Sequence, residues 1–422
     1  MKSLLVIGYV WPQPNSSAAG TRMLQLLEFF LERDYRITFA TTAAETAVMT
    51  DLAAMGIATE KIELNNPSFD KFLAEKDPKI VLFDRFMMEE QFGWRVSEVC
   101  PGAIKILDTE DLHFFRKARQ EASKRDIEVS TELLQSDLAK REIASIYRCD
   151  LSLIISETEM ELLQSDYKLP KELLFYLPFL EDPLSEEEKE NLPGFEEREQ
   201  FISIGNFRHE PNWDAVLNLK KNIWPLIKKE LPQANLHIYG AYPAPKVTQL
   251  HNEKEGFLVK GWADSALEVM RSSKVLLAPL RFGAGLKGKF IDAMKTGTPA
   301  VTSTLGAEGM TGGLPWMGEI ADDPIEFAKA SVELYTNRRH WENAQTNAFH
   351  LLERRYSKMG FSAHLEERLG ELKNDLTSHR QANFTGAMLA HHQMAGTKYL
   401  SKYIEIKNKL EELTAPKKNR PE

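Results

Sequence analysis

Residues 281–301, RFGAGLKGKFIDAMKTGTPAV, combine a glycine-rich cationic turn with the start of a helical pattern. The glycines let backbone amides turn toward a ligand without interference from a Cβ atom. A helix that begins near Gly288 or Lys289 directs its N-terminal amides and the positive end of its dipole at the same place. Lys287 and Lys289 add two ammonium charges. The pattern is typical of a diphosphate site, and the alternative is a flexible turn with solvated lysines.

A second basic turn lies earlier in the chain, in the stretch GNFRHEPNWDAV. We expect a helix to start around Pro211, with Asn212 as its candidate cap. Arg208 could hold a phosphate with two parallel hydrogen bonds, or it is a surface arginine in a loop. Asp292, about one turn into the helix of the first site, is placed to accept hydrogen bonds from vicinal ribose hydroxyls.

The stretch ILDTEDLHFF places acids and a histidine at the end of a strand pattern. Asp108 and Asp111 are close enough to suggest a metal, but no matching third ligand accompanies them, so helix capping is the preferred interpretation. His113 is a candidate to contact a ligand, since a neutral imidazole can bond a hydroxyl or share its proton. The alternative is a histidine at a helix start or in the core.

The loop NSSAAGTR has small residues before a helical pattern. Gly20 would permit close approach of a phosphate or of a second substrate. Thr21 and Arg22 are further candidate contacts, and the alternative is a plain capping turn.

Strand and helix patterns alternate along most of the chain, which predicts βαβ units and doubly wound parallel sheets. The alternation stops at an acidic, proline-containing stretch that is typical of a linker and then restarts. We therefore predict an α/β protein with a Rossmann-like domain at 1–180, a linker at 181–200 and a second Rossmann-like domain at 201–350. The two domains would face a central cleft. Residues 351–422 would form helices that pack back on the body.

Residues 201–310 carry a resemblance to a known family. The segments NFRHEPNWDAV, IWPLIKKELPQANLHIYG and GWADSALEVMRSSKVLLAPLRFGAGLKGKFIDAMKTGTPAVTSTLGAEG resemble the nucleotide-sugar domain of GT-B glycosyltransferases, specifically glycosyltransferase family 4 (glycosyl transferases group 1). A weaker resemblance runs through the first half, in GTRMLQLLEFF, LDTEDLHFFRKARQ and CDLSLIISETE. It implies retaining transfer of a sugar from a nucleotide-diphosphate sugar to an acceptor, with no metal or other cofactor required.

The resemblance also implies roles for single residues. Arg208 and Lys287 would hold the diphosphate and stabilise it as it leaves, and Asp292 would bind the ribose. His113 would approach the donor sugar from the acceptor side. The remaining donor contacts would lie by the base, at Gly261 and Trp262, and along the sugar-phosphate, at Gly283, Ala284 and Gly285.

The sequence departs from the family at one catalytic position. The family motif has two glutamates eight positions apart, whereas this chain has Ala284 at the first position and Asp292 at the second. The first glutamate often contacts the donor sugar, so this departure bears on the identity of the donor and on the stereochemical course. A catalytically silent nucleotide-sugar-binding or scaffold protein, or a GT-B epimerase or phosphorylase, are the alternatives.

Composition restricts the partners. The net charge of −9 argues against broad binding of nucleic acid or membranes, and no stretch is long and apolar enough to predict a membrane span. Two cysteines, Cys100 and Cys149, without metal-ligand spacing favour a reducing compartment, so we expect a cytoplasmic protein. The acceptor is not identified by the sequence.

The C-terminal helix pattern has several alternative roles: docking on the body, a contact in a homo-oligomer, or acceptor binding. Its basic residues Lys402, Lys407 and Lys409 are offset by acidic ones, namely Glu405, Glu411 and Glu412. The adjacent His391 and His392 point in different directions on a helix, so a shared metal is disfavoured.

Overall fold

The structure, a computed structural model, describes residues 2–46 and 48–414, without the side chains of residues 393–395 and 412. Two parallel sheets organise it. The first has the strand order β3-β2-β1-β4-β5-β6-β7, and the second has the order β10-β9-β8-β11-β12-β13.

The strands of the first sheet are β1 (Ser3–Gly8), β2 (Arg36–Thr41), β3 (Ala58–Lys61), β4 (Ile80–Asp84), β5 (Ile104–Asp108), β6 (Leu151–Ile154) and β7 (Leu174–Tyr176). Those of the second are β8 (Glu199–Ile204), β9 (Leu236–Tyr239), β10 (Phe257–Gly261), β11 (Ser273–Ala278), β12 (Ala300–Thr302) and β13 (Gly318–Ile320).

Helices cover both faces of each sheet. Around the first sheet lie α1 (Ala18–Leu31), α2 (Ser68–Lys76), α3 (Phe86–Val99), α4 (His113–Arg125), α5 (Thr131–Leu134), α6 (Asp137–Arg148) and α7 (Glu157–Ser165). Next along the chain come α8 (Glu186–Glu190), α9 (Glu210–Asn218), α10 (Trp224–Glu230), α11 (Pro245–Thr248), α12 (Ala266–Arg271), α13 (Gly288–Thr296), α14 (Thr304–Ala307), α15 (Pro324–Thr336) and α16 (Arg338–Arg355). The last described helices are α17 (Lys358–Asn374), α18 (Leu376–Ala382) and α19 (Phe384–Thr414).

Strand β1 shows why the sequence forms a central parallel strand. All six of its residues are buried. Alternate side chains point to opposite faces of a strand. Leu4 and Val6 pack in one apolar cluster, and Leu5 and Ile7 pack in another on the other face. A strand covered on both faces needs this continuous apolar run.

The C-terminal helices return to the first sheet. The backbone of Glu181 bonds on both sides to the returning chain, with its N–H donating to Tyr356 O at 2.7 Å and its carbonyl accepting from Lys358 N at 2.9 Å. Three leucines of α17 then join the apolar cluster under β1 and β2, and α19 packs on α3 and α6. The charged segment between β5 and β6 forms three helices, α4, α5 and α6.

No helix in residues 2–46 and 48–414 is both long and apolar enough to cross a membrane.

Candidate active site in the interdomain cleft

The cationic turn follows β11 and leads directly into α13. The helix begins at Gly288 with Lys287 as its N-cap residue, so the predicted helix start is correct. Gly285 has a φ of 61°, which only glycine adopts without strain, and a Cβ there would come within 2.8 Å of Asp111 Cβ in the first domain. The turn is therefore shaped to let the two domains approach each other closely.

Lys287 is buried beneath this turn. Its Nζ donates to the carbonyl oxygen of Gly285 at 3.1 Å and lies 3.5 Å from that of Glu308. Burial lowers the pKa of Lys287 to about 8, although the charge of Glu308 opposes the shift. Only neutral oxygens bond this ammonium group within the described chain, so its positive charge remains available to an anion.

Lys289 connects the two basic turns. Its Nζ donates to Asn212 Oδ1 at 2.8 Å, and Asn212 Nδ2 donates to the carbonyl of Asn206 at 2.9 Å. Burial lowers the pKa of Lys289 to about 8. Asn212 lies within the first turn of α9, whose N-cap residue is His209, so the expectation that Asn212 caps the helix is wrong. Its side chain instead fixes the spacing of the two turns.

Arg208 is exposed at the rim of the cleft. Its guanidinium stacks 3.7 Å above the ring centroid of Tyr242. The Tyr242 hydroxyl donates to Gln13 Oε1 of the first domain at 3.1 Å. Stacking on an aromatic ring orients a guanidinium while leaving its N–H groups free at the edge, which suits it to hold a phosphate.

Asp292 lies half-buried on α13. Burial raises its pKa to about 7, although nearby Lys295 opposes the shift. Lys295 itself pairs with Glu181 at 2.8 Å. Asp292 therefore changes charge near neutral pH, which matters for its predicted contact with ribose.

Gly261 and Trp262 lie at the carboxyl end of β10. Trp262 exposes 38% of its surface, and its Nε1 donates to Asp264 Oδ1 at 3.1 Å. A Cβ on Gly261 would meet no atom within 4 Å. This end of the second sheet thus presents a free indole face beside open space.

His113 starts α4 in the first domain. Its Nδ1 lies 3.1 Å from the carbonyl oxygen of Asp111, which can only accept, so the proton is on Nδ1. Burial opposes protonation of the ring, but the hydrogen bond and charge of Glu142 and the charge of Asp111 outweigh it and raise the pKa of His113. His113 occupies a helix start, and its ring keeps a partly exposed edge.

Asp111 anchors the charges around His113. Burial opposes its ionisation, but ion pairing with Arg116 and the nearby imidazoles of His113 and His209 lower the pKa of Asp111 to about 2. His209 comes from the second domain, and burial together with the charge of Arg116 lowers its pKa to about 4. The two domains therefore face each other through titratable side chains, of which His209 is neutral near pH 7.

Arg22 and Gly20 both have partners within the first domain. Arg22 is buried, with Nε donating to Asp108 Oδ1 at 2.8 Å and Nη1 to the Leu177 carbonyl at 2.7 Å, while its Nη2 has no hydrogen-bond partner among the described residues. The amide of Gly20 donates to the Ser17 hydroxyl, and a Cβ there would come 2.5 Å from the backbone of Gln13. Ser17 therefore caps α1, and Ala18 nearby packs against Gly288 of α13.

Arg119 of α4 reaches the glycine-rich turn from the first domain. It forms two 2.7 Å hydrogen bonds to the carboxylate of Glu308, and its Nη1 also donates to the carbonyl of Gly283 at 3.0 Å. Arg119 also stacks on Phe115, with 3.8 Å to the ring centroid. Both domains thus contribute charged side chains to the same turn.

Glu159 of α7 reaches the turn from another side. Its Oε1 accepts from the amides of Gly285 and Leu112, each at 2.9 Å. The residue is buried, and its Oε2 has no hydrogen-bond partner among the described residues. Burial and the charge of Asp111 raise the pKa of Glu159 to about 8. A carboxyl group of the first domain therefore lies directly beside Ala284.

Comparison with known proteins supports this architecture. Residues 198–337 match the family model "Glycosyl transferases group 1". Among solved structures, a glycosyltransferase from Rickettsia africae is 12% identical, with 89% of this chain and 99% of that one covered and a TM-score of 0.63. TarM of S. aureus, in a complex with UDP, is 12% identical, with 89% and 100% covered and a TM-score of 0.65.

Anabaena HepE, in a complex with UDP and glucose, is 13% identical, with 88% of this chain and 100% of that one covered and a TM-score of 0.63. The chain has the GT-B fold. An uncharacterized 44.6 kDa protein in the cps region of Klebsiella pneumoniae is 25% identical over 244 residues, which are 56% of this chain and 60% of that protein. The chain thus spans 60% of the length of this curated relative, which is less than two thirds.

The GT-B cleft contains residues that sequence reasoning missed. Arg119, Glu308 and Glu159 were given no role, although each lies inside a segment of recognised resemblance or next to one. Arg119 follows His113 by six positions, which places the two side chains about 120° apart around a helix, so their spacing did not indicate a shared site. No group of three or more potential metal-binding side chains occurs within the part of the chain that is described.

Arg85 marks a further part of the cleft that was not anticipated. It follows β4, and its backbone has a φ of 70° and a ψ of 159°, a conformation that costs about 1–3 kcal/mol for a residue with a side chain. Its guanidinium lies 5.1 Å from the ring centroid of Tyr9, which follows β1. In the strand order, β1 and β4 are neighbours at the point where the order reverses, the usual ligand-binding crevice of such sheets.

Proposed function

We propose that this protein is a retaining, metal-independent glycosyltransferase of family 4 that moves a sugar from a nucleotide-diphosphate sugar to an acceptor. The acceptor is a glycan, a lipid-linked glycan or another biomolecule. The observation that carries the proposal is the cationic turn at the start of α13, where Lys287 is buried beneath Gly285 and Arg119 of the opposite domain donates to the carbonyl of Gly283.

The donor diphosphate would bind where positive charge is not neutralised. Lys287 and Lys289 bond only neutral oxygens among the described residues, and Arg208 is held by an aromatic ring. The first amides of α13 add the positive end of a helix dipole, worth about 0.3–1 kcal/mol toward an anion. These groups together favour two phosphate charges and stabilise them as the bond to the sugar breaks.

The nucleoside would extend toward β10. Asp292 would accept hydrogen bonds from the ribose hydroxyls, and Gly261 and Trp262 would lie by the base. The TarM and HepE structures were both solved with UDP, which makes UDP the first nucleotide to test.

The sugar and the acceptor would meet between the domains. Gly283, Ala284 and Gly285 would line the sugar-phosphate, and His113 would bond a sugar hydroxyl or take part in moving the acceptor's proton. The acceptor would enter over the crevice beside Tyr9 and Arg85 and attack on the face from which the diphosphate leaves. Closure of the domains would exclude water that otherwise hydrolyses the donor.

A nucleotide-sugar-binding protein without transferase activity is the second candidate. It is favoured by the alanine at position 284, where the related motif has an acid. Glu159 weighs against this second candidate. Its carboxyl group accepts a hydrogen bond from the amide of Gly285 and so lies beside position 284, where the related motif has an acid.

Titration calorimetry with a panel of nucleoside diphosphates and nucleotide sugars tests the donor site. We expect one nucleotide to bind in the micromolar range, with affinity reduced at least about tenfold in Lys287→Ala and in Asp292→Ala. Lys329→Ala, an exposed lysine on α15, is the matched control and should bind normally. Failure of the wild type to bind any nucleotide would refute the donor site.

Turnover separates the two candidates. A transferase releases nucleoside diphosphate from the bound sugar donor, at least slowly to water, and does so equally in EDTA. Proton NMR of the product would show the same anomeric configuration as the donor. Binding without any release of diphosphate would support the silent protein instead.

A further inference from the structure

The outer face of α19 carries a continuous apolar stripe. It consists of residues spaced alternately four and three positions apart, namely Tyr399, Tyr403, Ile406, Leu410 and Leu413. Each exposes between 59% and 75% of its surface. At 100° per residue these five side chains share an arc of about 80°. No other described residue covers them, and an apolar stripe of this length on a surface marks an interaction site.

The opposite face of the same helix is firmly docked. Arg95 of α3 bonds the hydroxyl of Ser401 at 3.1 Å and forms an ion pair with Glu405, and Lys398 pairs with Glu98 of α3. The helix is thus held on the first domain by polar contacts, and these contacts direct the apolar stripe away from the protein.

Lysines flank the stripe on both sides. Lys402 and Lys409 lie along one edge and Lys407 along the other, and all three are exposed. Glu405 is turned to the docked face, and Glu411 pairs loosely with Lys407 at 3.8 Å. The lysines of α19 therefore border the apolar stripe, whereas the described acidic residues lie farther round the helix.

A second copy of the chain fits this surface poorly. If the stripe formed the seam of a coiled coil, the flanking positions would be those that carry interhelical ion pairs. Here those positions hold three lysines, so two copies would bring like charges together. This counts against the expected homo-oligomer through these helices.

We propose that this face of α19 docks on a bilayer surface with anionic headgroups. Aliphatic and tyrosine side chains would enter the boundary between headgroups and acyl chains, and the flanking lysines would extend to lipid phosphates. Each lysine near an anionic surface adds to the attraction. The proposal does not rest on the transferase activity.

Vesicle co-sedimentation of the full chain tests the docking. We expect binding to phosphatidylcholine vesicles with about 30% phosphatidylglycerol to exceed binding to neutral vesicles by at least about tenfold, and to weaken in 0.5 M salt. Ile406→Asp with Leu410→Asp, and separately Lys402→Gln with Lys407→Gln and Lys409→Gln, should each reduce the binding at least about tenfold.

The matched control changes two exposed apolar residues elsewhere, Ile325→Asp and Met359→Asp, each in the first turn of a helix where aspartate is tolerated. It should bind vesicles like the wild type. Circular dichroism and the melting temperature show that all variants fold. The proposal is overturned if the wild type ignores anionic vesicles, or if the aspartate pair on the stripe leaves binding unchanged. It is also overturned if vesicle binding is absent and light scattering shows a dimer that dissociates in the variant with Ile406→Asp and Leu410→Asp.

Discussion

Arg119 and Glu308 form a bidentate ion pair that joins the two domains, with both nitrogen–oxygen distances at 2.7 Å. Arg119 belongs to α4 of the first domain, and Glu308 follows α14 of the second. The same guanidinium holds the carbonyl of Gly283 in the cationic turn. The pair therefore links closure of the cleft to the shape of the candidate donor site.

Breaking this ion pair should favour an open cleft. Charge-assisted bidentate hydrogen bonds between partly buried groups contribute about 1.5–3 kcal/mol, so we expect Glu308→Gln to shift the population toward the open form. Small-angle X-ray scattering should show a larger radius of gyration, and turnover should fall at least about tenfold with a smaller change in nucleotide affinity. Glu319→Gln, whose carboxylate contacts His340 within the second domain, is the control. Unchanged scattering and turnover in Glu308→Gln would contradict the link.

Glu159 should make stability depend on pH in the neutral range. Burial raises its pKa to about 8, from a usual value of 4.5, so the folded protein holds this proton more tightly than the unfolded chain does. The resulting stabilisation is fully present below about pH 4.5 and is lost as pH rises through about 8.

The variant Glu159→Gln keeps an oxygen that accepts from the amides of Gly285 and Leu112 but has no ionisation. The difference in melting temperature between this variant and the wild type should therefore change in favour of the variant from pH 5 to pH 9, because only the wild type loses stability when Glu159 ionises. Glu161→Gln, on an outward position of the same helix, should show no such trend. A difference that stays constant with pH for Glu159→Gln would show that this carboxyl group does not ionise in the range.

Nucleotide binding should have a narrow pH optimum. Asp292 ionises near pH 7, and its carboxylate is the form that accepts from ribose hydroxyls, so affinity should rise through pH 7. Lys287 and Lys289 lose their charges near pH 8, so affinity for the diphosphate should fall above it. Calorimetry with UDP between pH 5.5 and 9.5 should show a maximum between these values.

Asp292→Asn separates the two limbs of that profile. It should flatten the acid limb and leave the alkaline limb in place, because the lysines still titrate. If the acid limb persists in Asp292→Asn, another titrating group causes it, and His113 is the first group to test.

Gly285→Ala should obstruct domain closure. The added Cβ would lie 2.8 Å from Asp111 Cβ, in addition to the cost of a positive φ, which is about 1–2 kcal/mol. Gly56→Ala is a matched control, since its φ of 76° imposes similar backbone strain but its Cβ would meet nothing within 4 Å. Turnover should fall much more in Gly285→Ala, although both variants lose similar stability. Equal losses of turnover would mean that backbone strain alone is responsible.

The sequence was sufficient for much of the fold. Continuous apolar runs such as that of β1 predict strands buried on both faces, and their alternation with helical patterns predicts two parallel α/β sheets, as observed. Strand β3 was not predicted, because all four of its residues are exposed and show no apolar pattern. Its place in the sheet comes from hydrogen bonds to β2, which leave no trace in side-chain chemistry.

The chemistry of the cationic turn was also determined by the sequence. Glycines, lysines and a helix start are neighbours along the chain, so their spacing alone brings amides and charges together. The tertiary structure decided which distant side chains meet that turn. Glu159 reaches Gly285 across 126 positions and Arg119 reaches Glu308 across 189, and both contacts exist only because two separately folded sheets face each other. Local patterns report which side of an element is buried, whereas contacts between domains depend on how complete surfaces fit, and no local pattern records that fit.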